Sequence, residues 1–304
     1  MEKTYELMPN AKMLLSSLRS VGYTEETAIA DIVDNSISSG ANTIQLYFDW
    51  DDQTILIADN GKGMQKKELL DSMKIGSSDP GVTRSASDLG RFGMGMKTAS
   101  FSLGKQLLVI SKQKDEINNA EWNLEYVENE DKWEILIHSD EKIDTYIKSK
   151  TDKIEFQNWD EGTLISLSML DKLIDENNMQ KSKVKFYKTV EKVKKHLAMI
   201  FHRFIEEDNL QIYVNKNLLE AWNPFIRQNP ATMELACEEL FDGKTIVSIE
   251  PYILPHKTKF EDEEAFKKAG GAKDWLAHQG FYVYRNRRLI AVSYTHLRAH
   301  ETLS

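Results

Sequence analysis

Residues 54–64 read TILIADNGKGM, an apolar run followed directly by a D-x-G-x-G pattern. The β-branched run predicts a buried strand that ends at Asp59. A carboxylate at a strand end beside glycines can accept a hydrogen bond from an exocyclic amine, while a flat base approaches the backbone. The alternative is an ordinary tight turn, because Asn-Gly is a common turn signal.

A helix is predicted upstream, over residues 24–39 (TEETAIADIVDNSISS), with Thr24 as its cap. Asp31, Asp34 and Asn35 fall at i, i+3 and i+4 and therefore share a face. An amide oxygen there could ligate Mg²⁺, and a nearby carboxylate could polarise an attacking water. Alternatively, this face is only the solvent side of an amphipathic helix.

A glycine-rich segment follows downstream, where residues 90–98 read GRFGMGMKT and run into an apolar helical stretch. Backbone N–H groups of such a loop at a helix N-terminus can bind phosphates. The segment is not a Walker A motif, because Met96 separates Gly95 from Lys97. It also lacks the βαβ context of a dinucleotide fingerprint. A flexible surface loop is the alternative.

The remaining pattern predicts an α+β fold. A strand at 44–50 forms a hairpin with 54–59, and a short helix is expected at 66–73. Further strands are predicted at 106–111, 121–127, 132–137 and 162–170, a long amphipathic helix at 181–204, and a hairpin at 210–222. Because most strands follow one another directly, their pairing should be antiparallel or mixed. Seven lysines between residues 181 and 195 form either a solvated face or a phosphate-binding stripe.

Composition limits the class of protein. The 304 residues carry 39 Lys and Arg against 48 Asp and Glu, a net charge of −9, with 41% hydrophobic residues and one cysteine. These values indicate a globular protein and exclude a disulfide scaffold, a multi-cysteine zinc module and a protein that coats nucleic acid by bulk charge. No apolar run reaches the roughly 18 residues of a membrane helix. We therefore expect a cytoplasmic protein without membrane contact.

Together, the three clusters resemble the ATPase superfamily of gyrase B subunits, ninety-kilodalton heat-shock chaperones, histidine kinases and MutL. Residues 31–35 match its N box, 59–63 its first glycine box, 90–98 its second, and 162–163 its threonine-bearing third. The stretches AIADIVDNSISSGA (28–41) and LGRFGMGMKTASFSLG (89–104) look most similar to the Morc-like group. The resemblance implies a Bergerat-type ATP-binding α/β sandwich, with a mostly antiparallel sheet and helices on one face, followed by the start of a transducer-like α/β domain.

The resemblance also implies residue roles. Asn35 would ligate Mg²⁺, Asp31 would be the general base, and Asp59 would bind the adenine amine with support from Thr163. Gly61, Gly63 and Met64 would line the approach of the base. The residues expected to wrap the phosphates as an ATP lid are Gly90, Arg91, Phe92, Gly93, Met94, Gly95, Met96, Lys97 and Thr98.

One departure bears on activity, since most ATP-hydrolysing members carry Glu where this chain has Asp31. Aspartate reaches roughly 1.5 Å less far, and a misplacement of about 1 Å can cost on the order of a hundredfold in rate. We therefore expect Mg²⁺-dependent ATP binding and slow hydrolysis that drive lid closure and homodimerisation, with DNA as a possible client. The alternatives are a nucleotide-binding module that does not hydrolyse ATP, or a chaperone-like ATPase. A histidine kinase fits poorly, because only about 30 residues precede Asp31 and the first histidine is His138.

Four segments are expected along the chain. These are an N-terminal strap at 1–22, the ATP-binding domain at 23–225, a partial transducer-like domain at 240–291, and a tail at 292–304. The tail sequence VSYTHLRAHETLS resembles a translated sequencing adapter. We therefore expect it to be artefactual and the natural protein to continue past Ala291.

Overall fold

The structure is a computed structural model that describes residues 5, 9–20, 22–76, 95–241, 243, 245–271, 275 and 280–293. The chain forms two compact units, Met1–Leu197 with Ile205–Leu219 and Ala198–Phe204 with Glu220–Ser304. Within the described ranges, no helix is both long enough and apolar enough to cross a membrane.

The first unit is built on a seven-stranded sheet of order β4-β3-β5-β2-β1-β6-β7. Its strands are β1 (Thr43–Asp49), β2 (Thr54–Asp59), β3 (Gln106–Gln113), β4 (Glu116–Asn123), β5 (Gly162–Ser168), β6 (Gln211–Val214) and β7 (Asn217–Leu218). Every neighbouring pair is antiparallel except β1 and β6, which are parallel. The mixed, mostly antiparallel α+β architecture expected from the sequence is thereby confirmed.

Helices accompany this sheet along the chain. They are α1 (Ala11–Arg19), α2 (Glu25–Ser38), α3 (Lys66–Met73), α4 (Gly95–Leu103), α5 (Leu124–Glu130), α6 (Asp140–Lys148), α7 (Met179–Ile200) and α8 (His202–Glu207). The start of α2 is defined by a capping box in which the Thr24 and Thr27 side chains satisfy each other's backbone N–H groups. Gly40, with φ +81°, follows the C-cap residue Ser39, a position where glycine is favoured.

Both faces of the sheet carry helices, whereas we expected helices on one face only. On one face, Phe186 of α7 contacts Phe48 of β1 edge to face, with ring centroids 6.2 Å apart. Phe48 lies opposite Ile55 in the β1–β2 register, so Leu56 points to the other face. There it joins a buried cluster with Ile143 of α6.

The strand predictions at 121–127 and 132–137 are largely wrong. Strand β4 ends at Asn123, whose side chain accepts hydrogen bonds from the backbone N–H groups of Glu125 and Tyr126 and so begins helix α5. Leu124 and Val127 are then buried at a helical i, i+3 spacing. The segment 132–137 contributes only an isolated bridge, between Leu136 and Glu121. The predicted helix 181–204 is likewise divided, because α7 ends at Ile200 and α8 begins at His202.

The second unit contains short hairpins and one helix in its described part. Its elements are β8 (Met233–Glu234), β9 (Glu238–Phe241), β10 (Ile246–Ile249), β11 (Tyr252–Ile253), α9 (Glu263–Ala269), β12 (Phe281–Arg285) and β13 (Arg288–Ser293). Several of its half-buried aromatic side chains contact one another, with Phe225 stacked on Tyr252 at a centroid distance of 4.4 Å. Strand β13 includes the first two residues of the predicted artefactual tail; residues 294–304 lie outside the described ones.

Candidate functional site

Asp59 is the most deeply placed acidic group of the site. It ends β2, is 4% exposed, and accepts hydrogen bonds from Gly61 N at 2.9 Å (Oδ1) and from Ser36 Oγ at 2.8 Å (Oδ2). Burial raises the pKa of Asp59, whereas these bonds and one from the backbone of Thr163 act to lower it. A carboxylate offers about four acceptor positions. Together with the Ser39 side chain, four groups of the protein donate to Asp59 and hold its carboxylate in place at the end of β2.

Thr163 lies beside Asp59 because β2 and β5 pair in the register Asp59↔Thr163. Its hydroxyl is 3.0 Å from Ser111 Oγ, and Ser111 is the residue opposite Thr163 on β3. Ser111 Oγ also accepts a hydrogen bond from Met64 N at 2.8 Å. Three neighbouring strands and the segment after β2 are thus joined at one end of the sheet.

The glycines of the D-x-G-x-G pattern are required by close contacts. A Cβ at Gly61 would lie 2.0 Å from Ser39 Oγ and 2.9 Å from Asp59 Oδ1. Gly63 has φ +63°, and a Cβ there would lie 2.0 Å from the carbonyl oxygen of Lys112. The pattern therefore reflects backbone packed against the carboxylate and the sheet, rather than only a turn preference.

Helix α2 carries the second acidic group and the amide. Asn35 is exposed and its Nδ2 donates to the backbone carbonyl of Asp31 at 3.0 Å. This bond turns the amide oxygen away from the helix backbone, the orientation that a cation ligand needs. Asp31 Oδ2 accepts a 2.7 Å hydrogen bond from Tyr23 Oη. Asp34, which the sequence placed on the same face, is buried at 6% exposure.

Helix α4 begins next to Asp31. A Cβ built on Gly95, its first residue, would lie 3.7 Å from Asp31 Oδ2. The backbone N–H groups of a helix N-terminus suit an anion such as a phosphate. Helix α2, which carries Asp31 and Asn35, therefore lies beside the N-terminus of α4, an end that suits a phosphate.

The position of the Lys97 side chain differs from the one expected of a phosphate ligand. The side chain of this predicted phosphate ligand is buried, and its Nζ donates to the carbonyl of Ser72 in α3 at 2.6 Å. Burial lowers the pKa of Lys97 to about 8. Thr98 is also buried, and its Oγ1 donates to Gly95 O at 3.3 Å. In this structure, both side chains secure α4.

Five residues of the predicted lid, Gly90, Arg91, Phe92, Gly93 and Met94, lie outside the described residues. The other predicted site residues fall into two groups that α2 connects. The group predicted to bind adenine, here called the adenine-side group, is Asp59, Gly61, Gly63, Met64 and Thr163. The group predicted to bind magnesium, water or phosphate, here called the phosphate-side group, is Asp31, Asn35, Gly95, Met96, Lys97 and Thr98. Ser36 of α2 bonds to Asp59, and Asp31 of the same helix lies against the start of α4.

Sequence reasoning missed Ser36, Ser111 and Tyr23. Ser36 occupies a buried position of α2, and Ser111 is a fully buried polar residue in an apolar strand. A buried polar side chain in an otherwise apolar element needs a hydrogen-bond partner, and that was the available signal. Tyr23 lies before the cap of α2, where no periodic pattern points to its contact with Asp31.

Comparisons with known proteins identify the family of this arrangement. Residues 23–160 match the family described as histidine kinase-, DNA gyrase B-, and HSP90-like ATPase. The chain is 32% identical over 114 residues to ATPase morc-1 of Caenorhabditis elegans, a match that covers 36% of this chain and 13% of that protein. It is 30% identical over 93 residues to MORC family CW-type zinc finger protein 3 of Mus musculus, covering 28% of this chain and 10% of that protein.

The matched segments therefore span only a small part of these relatives. The residues 23–160 that match the family include α2, the β1–β2 hairpin and Asp59, whereas Thr163 lies just beyond them. The fold, the placement of the motif residues and the matched family agree. Residues 23–160 thus match the histidine kinase-, DNA gyrase B- and HSP90-like ATPase family, and the chain is similar over about a third of its length to MORC proteins.

Proposed function

We propose that this chain binds MgATP between the Asp59 group and the start of α4 and hydrolyses it slowly. One observation carries the proposal: helix α2 connects both groups, with Ser36 bonded to the buried Asp59 and Asp31 placed against Gly95. A ligand with an amine-bearing base at one end and phosphates at the other matches this division of polar groups.

Asn35 is the residue that would hold Mg²⁺. Its amide nitrogen is engaged with the Asp31 carbonyl, so its oxygen is oriented as a ligand. The described residues contain no group of three or more His, Cys, Asp or Glu that could hold a metal ion. Mg²⁺ usually keeps several waters and takes only one or two protein ligands beside the substrate phosphates, so a dedicated cluster of protein ligands is not needed. When bound, the ion would neutralise charge on the phosphates.

Asp31 would act as the general base toward the attacking water. Its carboxylate is one methylene shorter than the usual glutamate, which accounts for slow turnover. The same feature favours a second candidate function, a nucleotide-binding module that does not hydrolyse ATP.

Steady-state phosphate release with Mg²⁺, combined with nucleotide titration, distinguishes the two functions. We expect measurable turnover, loss of tight MgATP binding in Asn35→Ala, and retained binding with a rate reduced at least tenfold in Asp31→Asn. Glu25→Gln, at the partly exposed start of α2, is the matched control. Tight ATP binding without turnover in the unmodified chain would favour the non-hydrolysing module.

ATP-dependent dimerisation through the N-terminal strap is part of the proposal. Two side chains of the described strap are strongly exposed, Tyr5 at 82% and Met13 at 70%. Sedimentation velocity with and without a non-hydrolysable ATP analogue tests this step. We expect the analogue to produce a dimer that Met13→Glu weakens and that Met179→Glu, on the exposed start of α7, leaves intact. A monomer under all conditions would contradict it.

DNA is the proposed client, supported by the lysine face of α7. Lys181, Lys185, Lys188, Lys192 and Lys195 follow an i, i+4, i+7, i+11, i+14 spacing and are all exposed. Such a stripe suits a phosphate backbone, whose binding weakens steeply with salt.

A charge reversal can test the stripe. We expect the triple change of Lys188, Lys192 and Lys195 to Glu to abolish DNA binding and its salt dependence. The control changes three exposed lysines elsewhere to Glu, namely Lys114, Lys132 and Lys148. It alters the net charge by the same amount as the test variant. Equal effects of the two triples would show that overall charge, not this helix, governs binding.

A further inference from the structure

Tyr23 lies between Gly22 and the cap residue of α2 and belongs to none of the sequence motifs. The reciprocal bonds between Thr24 and Thr27 secure the backbone at this point, at 3.1 Å for Thr24 N to Thr27 Oγ1. From there the phenol extends along the helix to Asp31, eight residues away, where the O–O distance is 2.7 Å. That value is the normal optimum of an O–H···O bond.

The phenol connects the segment before α2 with Asp31 on that helix. Its oxygen donates to Asp31 Oδ2, which in turn lies against Gly95 at the start of α4. Burial, and then the neighbouring Asp31 carboxylate, raise the pKa of Tyr23 to about 12. The hydroxyl therefore keeps its proton across the physiological range and remains a donor to Asp31.

An aspartate that acts on water needs a defined carboxylate position. Its two side-chain torsions otherwise allow several orientations, and a shift of about 1 Å can cost on the order of a hundredfold in rate. Asp31 Oδ2 is placed between the Tyr23 hydroxyl and the first turn of α4, where a Gly95 Cβ would be 3.7 Å away. A donor that fixes Oδ2 also fixes the direction of the other carboxylate oxygen.

We propose that Tyr23 is the positioning residue for Asp31, orienting its carboxylate for hydrolysis beside the start of α4. This inference rests on the proposed function, in which Asp31 is the general base. Tyr23 does not itself contact the reacting atoms in this scheme. Its removal should therefore lower kcat without changing nucleotide affinity.

The test compares Tyr23→Phe with Tyr126→Phe in steady-state ATP hydrolysis and in MgATP titrations. Tyr126 is a matched control, because its hydroxyl also donates to a carboxylate, Glu134 Oε2 at 3.1 Å, on an exposed surface. We expect Tyr23→Phe to reduce kcat about tenfold or more with KM and Kd within about twofold, and Tyr126→Phe to behave as the unmodified chain.

A double-mutant cycle with Asp31→Asn excludes a purely structural role. If Tyr23 acts through Asp31, the change to Phe has no further effect on the residual single-turnover rate of the Asp31→Asn variant. An equal loss in both backgrounds, or a kcat within about twofold of the unmodified rate, overturns the inference. If the unmodified chain binds ATP without turnover, the hydrolysis proposal fails first, and the role of Tyr23 fails with it.

Discussion

Replacement of Asp59 by Asn tests the adenine-side group most directly. The change removes the charge and converts one of two acceptor oxygens into an NH₂ donor. Gly61 N–H can only donate, so the amide oxygen must face it, at the present distance of 2.9 Å. The new NH₂ group must then face Ser36, whose hydroxyl can rotate and accept. The backbone N–H of Thr163 also donates to Asp59 and must then share the amide oxygen with Gly61. The variant avoids burying a charge, and we expect it to fold.

The Asp59→Asn change should weaken nucleotide binding. A hydrogen bond to a charged acceptor is worth about 1.5–3 kcal/mol, which corresponds to a Kd increase of roughly 10- to 100-fold. The NH₂ group also presents a donor to the purine 6-position, where ATP carries an amine and ITP a carbonyl oxygen. We therefore expect Asp59→Asn to lose ATP affinity and to lose the preference for ATP over ITP.

Titration calorimetry with both nucleotides supplies the measurement. Asp51→Asn, in the exposed turn between β1 and β2, is the matched control and should bind as the unmodified chain does. Thermal unfolding of each variant shows that any loss of affinity occurs in a folded protein. An Asp59→Asn variant that binds ATP within about twofold of the unmodified chain, with its preference over ITP intact, would refute the placement of the base at Asp59.

Two further predictions concern stability. Gly63→Ala should lower the free energy of unfolding in urea by about 2 kcal/mol or more, because it combines left-handed backbone strain with a 2.0 Å contact between the new Cβ and the Lys112 carbonyl oxygen. Gly40→Ala is the control. Its φ is +81° and no atom of the described structure lies within 4 Å of the new Cβ, so it should lose only the strain energy. Hydrogen bonds from Lys150 and Lys153 lower the pKa of Asp52 to about 2, so its contribution is present above the unfolded pKa and is lost as pH falls toward 2. With 45% of the Asp52 side chain exposed, the stability gap to Asp52→Asn should stay below about 1 kcal/mol at pH 7 and close near pH 2; a constant gap would contradict the assignment.

Local sequence signals predicted the elements that are specified by residues close together in the chain. Helix α2 follows from its apolar spacing, from the Thr24 cap and from Gly40, all of which lie within one stretch of chain. The β1–β2 hairpin and the position of Asp59 at its end follow in the same way. The prediction failed at Asn123 because a side-chain cap can end a strand and begin a helix within β-prone sequence.

Contacts between segments that lie far apart in the sequence could not be predicted from local signals. The register that places Ser111 opposite Thr163 depends on how β3 and β5 pair, 52 residues apart in sequence. Lys97 belongs to the predicted phosphate motif, yet its side chain is directed to Ser72 by the packing of α4 near α3. A motif specifies residue types and spacing, whereas the direction of each side chain depends on the neighbours that surround it.

The sequence by itself predicted the family and the fold class, and it led us to expect an adenine side and a phosphate side among the site residues. It did so because closely spaced glycines, carboxylates and an amide satisfy chemical needs that few other patterns meet. Only the tertiary structure decided that Ser36 secures Asp59 and that Tyr23 secures Asp31. Those two bonds form because α2 packs beside the end of β2 and the start of α4, an arrangement produced by burial of apolar surface across the whole unit.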